Sequence, residues 1–304
     1  MRNNADWLVQ LGAIEFMRDV GKHFTVNYMT AKDSVKSRLD AGISYTEFSY
    51  MLLQAYDFLE LHQREGARLQ IGGSDQWGNI TAGVELIRRA AGAEAHAVTL
   101  PLVTTATGTK FGKTEAGAVW LDPALTSPYK FYQFWVNVDD RDASRFLRYF
   151  TMMGREEIEA LELELAAHPE RRAAQQALAR DVTTRVHGEG AARAAADVSA
   201  LLFGRGDAAS LSVDALEALR GEVPFVEIPA LPAEGIDAID LFVAAKLAPS
   251  KGAAKRLLEQ GGLSVNGAKL SAEERVVGSE SMLVGRHLLL RKGAREYALV
   301  GVGG

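Results

Sequence analysis

The sequence predicts an α/β fold with a parallel sheet, followed by an all-helical segment and a small α+β module. Strand, loop and helix patterns alternate over residues 1–126, which is typical of a parallel sheet. Helical patterns alone occupy 127–203, and short strands return after residue 235. At 304 residues the chain is long enough for two or three domains. We therefore expect domains at 1–126, 127–203 and 235–304, with 204–234 as a linker.

The predicted elements of the first domain are one long helix, a second helix and three strands. Ser44-Tyr-Thr-Glu47 is a capping box that begins the long helix, and Gly66 is its predicted stop. The other elements are a strand at 68–71, a helix at 77–91 and strands at 99–103 and 118–121. Their order predicts that neighbouring strands are parallel.

The remaining elements follow from helical periodicity and from punctuation by proline and glycine. The clearest helices cover 156–168 and 171–186. Three of the eight prolines lie within 204–234, a composition that indicates a linker. The last module is predicted to contain helices at 237–247 and 250–260, a strand and turn at 261–267, and strands near 287–291 and 297–300.

Composition excludes several classes of protein. The chain has no cysteine, so a disulfide framework, a thiolate metal cluster and a cysteine nucleophile are excluded. The six histidines show no His-x-x-x-His spacing, so we expect no protein metal site. No apolar run approaches 18 residues and the N-terminus does not resemble a signal peptide. We expect a cytoplasmic protein without a membrane partner.

Charge is distributed unevenly along the chain. The net charge is −5, yet the last 70 residues carry +3 and the remainder −8. Four basic residues crowd one predicted pair of short helices: Lys246, Lys251, Lys255 and Arg256. Phosphate contact is one interpretation, and a solvated basic face is the other. Because no aromatic residues are interleaved with them, contact with the backbone of folded RNA is favoured over reading of single strands.

A first candidate site lies on the long helix. Tyr50, Gln54 and Asp57 are spaced at i, i+4 and i+7, which places them on one face of a helix. The surrounding run, 48–61, is apolar enough to predict burial. A buried carboxylate and phenol could select a ligand that carries a hydroxyl group. The alternative is a structural tyrosine beside a surface glutamine and aspartate.

A second candidate site is the glycine-rich turn Gly72-Gly73-Ser-Asp75-Gln76-Trp-Gly-Asn79. It lies between a predicted strand and a predicted helix, where backbone N–H groups can meet a phosphate. Asp75 could bind ribose hydroxyls, and Gln76 opens the next helix. The turn does not match Gly-x-Gly-x-x-Gly, so a nicotinamide cofactor is not supported. An ordinary βα turn is the alternative.

A third candidate site is the segment Lys110-Phe-Gly-Lys113-Thr114, here called the lysine loop. It ends like a Walker A motif, but the first glycine of that motif would fall at Thr107, so a P-loop is rejected. Two lysines in a flexible loop could neutralise the charge of a departing pyrophosphate. A solvated loop is the alternative.

These three motifs, and three further stretches in the same order, resemble those of bacterial tyrosyl-tRNA synthetases, which are class I enzymes. The further stretches are Asn3-Asn4-Ala-Asp6-Trp7, Gly21-Lys22-His23-Phe24-Thr-Val-Asn-Tyr28 and Val186-His187-Gly-Glu189. The resemblance covers nearly the whole chain. It implies the later part of a Rossmann-type catalytic domain, a helical anticodon-side domain and a C-terminal αL-type RNA-binding module.

The resemblance also implies an activity. Such an enzyme activates L-tyrosine with ATP to tyrosyl-adenylate and then transfers tyrosine to the 3′ end of tRNA(Tyr). ATP brings Mg²⁺ as part of the substrate, and a homodimer is expected. The implied tyrosine-binding residues are Tyr50, Gln54, Asp57 and Gln76. The implied ATP-binding residues are Gly73, Asp75, Gln76, Lys110 and Lys113. The implied catalytic residues of the lysine loop are Lys110, Lys113 and Thr114, and the implied RNA-binding residues are Lys246, Lys251, Lys255 and Arg256.

The sequence departs from the family pattern at one point. The family's His-Ile-Gly-His motif, which binds ATP, does not occur in this chain, nor do the tyrosine and aspartate that complete the amino-acid pocket. About 100 residues, or three βα units, are therefore expected to be missing upstream. We expect the 304-residue polypeptide to bind tRNA weakly without forming tyrosyl-adenylate. The alternatives are a non-catalytic RNA-binding or regulatory protein and one half of a split enzyme.

Overall fold

The chain divides into two compact units, Met1–Thr104 and Thr105–Gly304, called unit 1 and unit 2. The computed structural model describes residues 1–36, 38–109, 111–114, 117–271, 273 and 275–303. The predicted fold class is confirmed, since a parallel strand pair, a helical segment and a mixed sheet with two helices follow one another. The compact units do not follow the predicted boundary at residue 126.

Unit 1 is built around one long helix. Its elements are α1 (Ala5–Leu8), α2 (Ala13–Asp19), α3 (Val26–Thr30), α4 (Asp33–Lys36), α5 (Tyr45–Glu65), β1 (Leu69–Gly73), α6 (Trp77–Ala91) and β2 (His96–Leu100). The predicted capping box begins α5, because Ser44 and Glu47 each accept the other's backbone N–H. Gly66, in the left-handed conformation at φ 70°, ends the helix. These predictions are confirmed.

Strands β1 and β2 are parallel, as predicted, with Leu69 opposite His96 and Gly73 opposite Leu100. The second strand ends three residues earlier than the predicted 99–103. The reason is Pro101, which lacks the N–H that would continue the ladder.

Helices α5 and α6 pack closely enough to require a glycine at their contact. Phe58 of α5 is 2% exposed, and a Cβ atom at Gly83 of α6 would lie 2.9 Å from its Cδ1 atom. The apolar side chains around this contact, including Met51, Leu86 and Ile87, form the core of unit 1. The helix that carries the first candidate site is thereby fixed against the helix that follows the glycine-rich turn.

We expect Gly83→Ala to destabilise the protein by about 1–2 kcal/mol. The added methyl group clashes with Phe58, and the free energy of this overpacking exceeds what the higher helix propensity of alanine contributes. Urea unfolding of the full chain measures the change. Gly190→Ala is the matched control, since its nearest neighbour would be Asp214 Oδ2 at 3.9 Å. The control should be neutral or stabilising, and an equal loss in both variants would contradict this account of the helix contact.

Among the described residues, unit 2 begins with an antiparallel strand pair, which six helices follow. These elements are β3 (Lys113–Thr114), β4 (Gly117–Ala118), α7 (Pro128–Val136), α8 (Asp140–Phe150), α9 (Arg155–Ala167), α10 (Ala173–His187), α11 (Glu189–Leu202) and α12 (Val213–Arg220). Helices α9 and α10 confirm the predictions for 156–168 and 171–186. None of the helices within the described residues is long and apolar enough to cross a membrane.

The predicted strand at 118–121 is wrong. Only Ala118 of that stretch is in a strand, and it pairs antiparallel with Lys113 instead of joining the parallel pair. The backbone N–H of Trp120 donates to Thr126 Oγ1 at 3.0 Å, so it is not available to a ladder. Trp120 and Leu121 are 52% and 66% exposed, which is why their apolar character does not indicate a core strand here.

The C-terminal part of unit 2 forms a five-stranded sheet in the order β5-β11-β10-β7-β8. Its elements are β5 (Phe225–Ile228), β6 (Ile236–Asp237), α13 (Ala238–Ala244), α14 (Lys251–Glu259), β7 (Leu263–Val265), β8 (Ala268–Lys269), β9 (Val276–Val277), β10 (His287–Lys292) and β11 (Glu296–Val302). Leu288 and Leu290 face the core with α13 and α14, whereas Leu289 packs with α11 and α12. Both faces of the sheet are therefore covered, which explains the uninterrupted apolar runs of β10 and β11.

The predicted linker, 204–234, is folded in part. It contains helix α12, whose Leu216 and Leu219 are fully buried, and strand β5, which pairs parallel to β11. Pro224 and Pro229 bracket β5 instead of breaking it, a position in which proline costs no ladder hydrogen bond. The proline content was thus a poor indicator of a linker, because two of the prolines delimit a strand.

Candidate active site

The stripe on α5 is less buried than predicted. Tyr50 is 56% exposed, and Gln54 and Asp57 are partly buried. The buried face of the helix is formed by its apolar neighbours Met51, Leu52, Ala55, Phe58 and Leu59. The prediction of a buried stripe is wrong because the three polar residues lie beside this apolar face and not within it. They remain accessible to a ligand.

Asp57 is held by two donors from the start of the chain. Its Oδ1 accepts from Trp7 Nε1 at 2.7 Å, and its Oδ2 accepts from Asn4 Nδ2 at 3.0 Å. Trp7 is 7% exposed, so the indole bond is shielded from water. An aspartate with both oxygens engaged has a fixed orientation and still has lone pairs for a further donor.

Asn79 connects the first motif to the second. Its Nδ2 donates to Gln54 Oε1 at 3.1 Å and to Gln76 Oε1 at 3.3 Å. The side chain therefore joins the α5 stripe to the residue that precedes α6. The structure brings Gln54 and Gln76 together within unit 1, as the prediction that both contact the same amino acid requires.

The glycine-rich turn is tight at its two glycines. A Cβ atom at Gly73 would lie 2.7 Å from Asp75 Oδ1 and 2.8 Å from Leu102 Cδ2, and one at Gly72 would lie 3.0 Å from Ile80 Cδ1. A larger residue would displace Asp75, the predicted ribose ligand. Asp75 itself is exposed in the short 3₁₀ turn between β1 and α6. Glycine here keeps the carboxylate next to the backbone that leads into α6.

The lysine loop belongs to unit 2. Lys110 lies outside the described residues, and Lys113 and Thr114 form strand β3. Phe111 packs among aromatic side chains of α7 and α8. The convergence of Asp57 and Asp75 in unit 1 with Lys113 in unit 2 around one cleft therefore stays a prediction.

The predicted RNA-binding residues all lie on or next to the α13–α14 pair, and all four are exposed. Lys251 Nζ contacts Asp240 Oδ1 at 2.5 Å, and this hydrogen bond raises the pKa of Lys251. The three other cations, Lys246, Lys255 and Arg256, share the same region. This arrangement is able to meet a polyanion, while Lys251 already has a carboxylate partner.

Several residues of the candidate site carried no predicted role. Asn4, Trp7 and Asn79 lie in stretches that resemble the family, and that resemblance was the only available signal for them. A pocket of about 400 Å³ between α7, α10 and α11, lined by Arg172, Arg180 and Arg205 among others, had no sequence signal.

His187, from the last resembling stretch, packs edge-on against Phe131 with ring centroids 4.9 Å apart. Burial lowers the pKa of its imidazole, so the ring is neutral at pH 7. The geometry gives His187 a packing role in the helical segment. Among the described residues, no group of three or more His, Cys, Asp or Glu is arranged to hold a metal ion.

The chain is similar to known proteins along almost its whole length. Residues 1–204 match the family of class I tRNA synthetases (W and Y), and residues 215–300 match the SYY-like C-terminal domain of tyrosine–tRNA ligase. The chain is 55% identical over 302 residues to tyrosine–tRNA ligase of Anaeromyxobacter dehalogenans (strain 2CP-1), covering 99% of this chain and 72% of that protein. It is 54% identical over 303 residues to the same enzyme of Geobacillus stearothermophilus, covering 99% and 71%.

A solved structure is also similar. The C-terminally truncated mitochondrial tyrosyl-tRNA synthetase of Coccidioides posadasii superimposes with a TM-score of 0.54 at 36% identity, over 64% of this chain and 56% of that one. The chain thus spans just over half of that protein. The family match over 204 residues and the identity over 302 residues agree with the motifs and with the fold. The chain belongs to the tyrosyl-tRNA synthetase family of class I tRNA synthetases.

Proposed function

We propose that this chain supplies the tyrosine pocket, the ribose contact and the lysine loop of a tyrosine–tRNA ligase, an enzyme of protein synthesis in the cytoplasm. The observation that carries the proposal is the linked constellation in unit 1. Asp57 is oriented by Trp7 and Asn4, and Gln54 and Gln76 share the amide of Asn79.

In the proposed mechanism the chain positions reactants and stabilises charge, without a covalent intermediate. The carboxylate of tyrosine attacks the α-phosphate of ATP, and pyrophosphate departs with the electron pair of the broken bond. A terminal ribose hydroxyl of tRNA(Tyr) then attacks the tyrosyl carbonyl, and AMP departs. Holding the reactants in line supplies much of the rate.

Each motif is assigned one task in these steps. Asp57 accepts a hydrogen bond from the phenolic hydroxyl of tyrosine, and Tyr50 and Gln54 bind the amino group. A site built to accept that hydrogen bond rejects phenylalanine because Asp57 would be left unpaired, and tyrosyl-tRNA synthetases are the established example of this principle. Gly73 and Asp75 receive the ribose of ATP, and Gln76 the region of the carboxylate and α-phosphate.

The lysine loop acts on the leaving group. Lys110 and Lys113, with Thr114, neutralise the charge that develops on the β- and γ-phosphates as pyrophosphate departs. ATP enters as its Mg²⁺ complex, so the metal arrives with the substrate. We also propose that the enzyme is a homodimer and that tRNA(Tyr) contacts Lys246, Lys251, Lys255 and Arg256.

A chimaera tests the proposed function directly. This chain replaces the matching 72% of the Anaeromyxobacter dehalogenans enzyme, and the product is assayed for charging of tRNA(Tyr) with tyrosine and with phenylalanine. We expect charging with tyrosine alone. Two results together would favour a non-catalytic RNA-binding protein: the chimaera folds but forms no tyrosyl-adenylate, and the 304-residue chain alone binds tRNA.

The hydrogen bond from the indole of Trp7 should affect the use of tyrosine, because it orients Asp57. We expect Trp7→Phe in the chimaera to lower kcat/KM for tyrosine about tenfold or more, because a hydrogen bond to a charged acceptor is worth about 1.5–3 kcal/mol. Trp120→Phe is the control, since Trp120 is 52% exposed. Steady-state adenylate formation measures both variants, and an equal response would contradict the role of Trp7.

The basic residues on α14 should contribute to tRNA binding electrostatically. For the double variant Lys255→Ala/Arg256→Ala of the full chain, we expect weaker tRNA binding and a salt dependence reduced by about two phosphate contacts. Lys251→Ala should have the smaller effect, because its ammonium already pairs with Asp240. Fluorescence titration at several salt concentrations measures the slopes, and an unchanged slope in the double variant would contradict the assignment.

A further inference from the structure

Phe111, in the lysine loop, packs against an aromatic socket formed by two rings from α7 and two from α8. Its ring centroid lies 4.7 Å from that of Phe146, 5.0 Å from that of Phe150 and 5.5 Å from those of Phe134 and Trp135. Aromatic pairs attract at these separations, beyond the benefit of burying their surface. The side chain of Phe111 therefore attaches this part of the lysine loop to α7 and α8.

Two rings of the socket are buried, and its members contact one another. Phe146 is 1% exposed and Trp135 is 5% exposed, and the rings of Trp135 and Phe150 are 5.0 Å apart. Its members are anchored on helices of nine and eleven residues. Buried aromatic rings in contact with one another have few alternative positions, so the socket offers Phe111 a defined packing site.

A second attachment holds the stem of the loop, residues 105–109. The backbone N–H of Ala106 donates to Asp142 Oδ2 at 2.8 Å, and Arg145 donates to Asp142 Oδ1 at 2.5 Å. Asp142 is only 2% exposed, so water does not readily reach its carboxylate. Loss of the hydrogen bond from Ala106 would therefore leave a buried acceptor without its donor, which costs free energy. The turn closes on itself, since the N–H of Thr105 donates to the carbonyl of Thr109 at 2.8 Å. Socket and stem are both fastened to α8.

These attachments restrict the position of Lys113. Only Gly112, at φ 85°, separates Phe111 from Lys113, which pairs antiparallel with Ala118. Two residues of extended chain span about 7 Å, so the Cα atom of Lys113 stays within that distance of the Cα atom of Phe111. We propose that Phe111 is a positioning residue for adenylate formation, whose ring in the aromatic socket sets where Lys113 meets the departing pyrophosphate. This inference rests on the proposed function.

The expected effect separates Phe111 from a residue that only stabilises the fold. In the chimaera, Phe111→Ala should lower kcat of ATP–pyrophosphate exchange between about tenfold and a hundredfold, the cost of a misplaced catalytic group. The KM for tyrosine should stay unchanged, because the predicted tyrosine ligands lie in unit 1. Phe111→Tyr, which keeps the ring, should restore kcat. Phe131→Leu is the matched control, since Phe131 packs on Trp135 from the side of His187.

Limited trypsin digestion of the full 304-residue chain tests the docking without any activity. Cleavage in the lysine loop should accelerate several-fold in Phe111→Ala and stay slow in Phe111→Tyr and Phe131→Leu. An unchanged cleavage rate in Phe111→Ala would overturn the docking. An active chimaera whose kcat is insensitive to Phe111→Ala, or falls equally in Phe131→Leu, would overturn the positioning role. An inactive parent chimaera would instead refute the proposed function, and the catalytic role with it.

Discussion

Replacing Asp57 by alanine in the chimaera is expected to lower kcat/KM for tyrosine by about two to three orders of magnitude. The variant loses the proposed hydrogen bond from the phenol to a carboxylate, and the hydroxyl of bound tyrosine is left without this acceptor. Both terms act on the same substrate group. Steady-state ATP–pyrophosphate exchange with varied tyrosine measures the loss.

The same substitution should affect folding much less. Asp57 accepts from Trp7 and Asn4, so its removal leaves two donors, of which only the indole is well shielded. We expect a stability loss of about 1–3 kcal/mol, measured by urea unfolding of the full chain. Asp214→Ala is the control, because Asp214 is exposed on α12. A large melting loss with unchanged tyrosine kinetics would contradict the assignment of Asp57 to the phenol.

Replacing Lys113 by alanine should slow adenylate formation about a hundredfold to a thousandfold, as expected for removal of a charge that stabilises the transition state. The ammonium is proposed to act on the departing pyrophosphate, so kcat should fall while the KM for tyrosine is unchanged. Pre-steady-state formation of tyrosyl-adenylate in the chimaera isolates this step.

Two further variants sharpen the Lys113 experiment. Lys113→Arg should recover part of the rate, since it keeps the charge but changes the shape of the donor. Lys130→Ala, on the exposed face of α7, should leave the rate unchanged. A rate insensitive to Lys113→Ala, or an equal loss in Lys130→Ala, would show that the loop is not the group that stabilises the leaving pyrophosphate.

Local signals were sufficient to predict the elements that carry the site. The capping box at Ser44 and the glycine at Gly66 delimit α5, and the strand-turn-helix pattern around Gly73 predicted the elements on both sides of that turn. The ends of α5 and the elements around Gly73 are determined by residues close to them in the sequence. The spacing of Tyr50, Gln54 and Asp57 likewise fixed a shared helix face.

Features set by distant partners could not be predicted. Trp7 and Asn4 are 50 and 53 residues from Asp57, and no local pattern states that they meet. The apolar run 118–121 has the composition of a core strand, but no packing partner covers Trp120 among the described residues, and its side chain is 52% exposed. Strand β5 was hidden because its partner β11 lies some 70 residues later in the chain, and its flanking prolines resemble those of a linker.

The most direct test of the central claim is a crystal structure of the chimaera with a non-hydrolysable analogue of tyrosyl-adenylate. The proposal predicts one cleft in which Asp57 accepts from the phenol of the analogue, Asp75 contacts its ribose and Lys113 faces the side from which pyrophosphate departs. An analogue bound elsewhere, or a structure in which Asp57, Asp75 and Lys113 lie on separate surfaces, would contradict it.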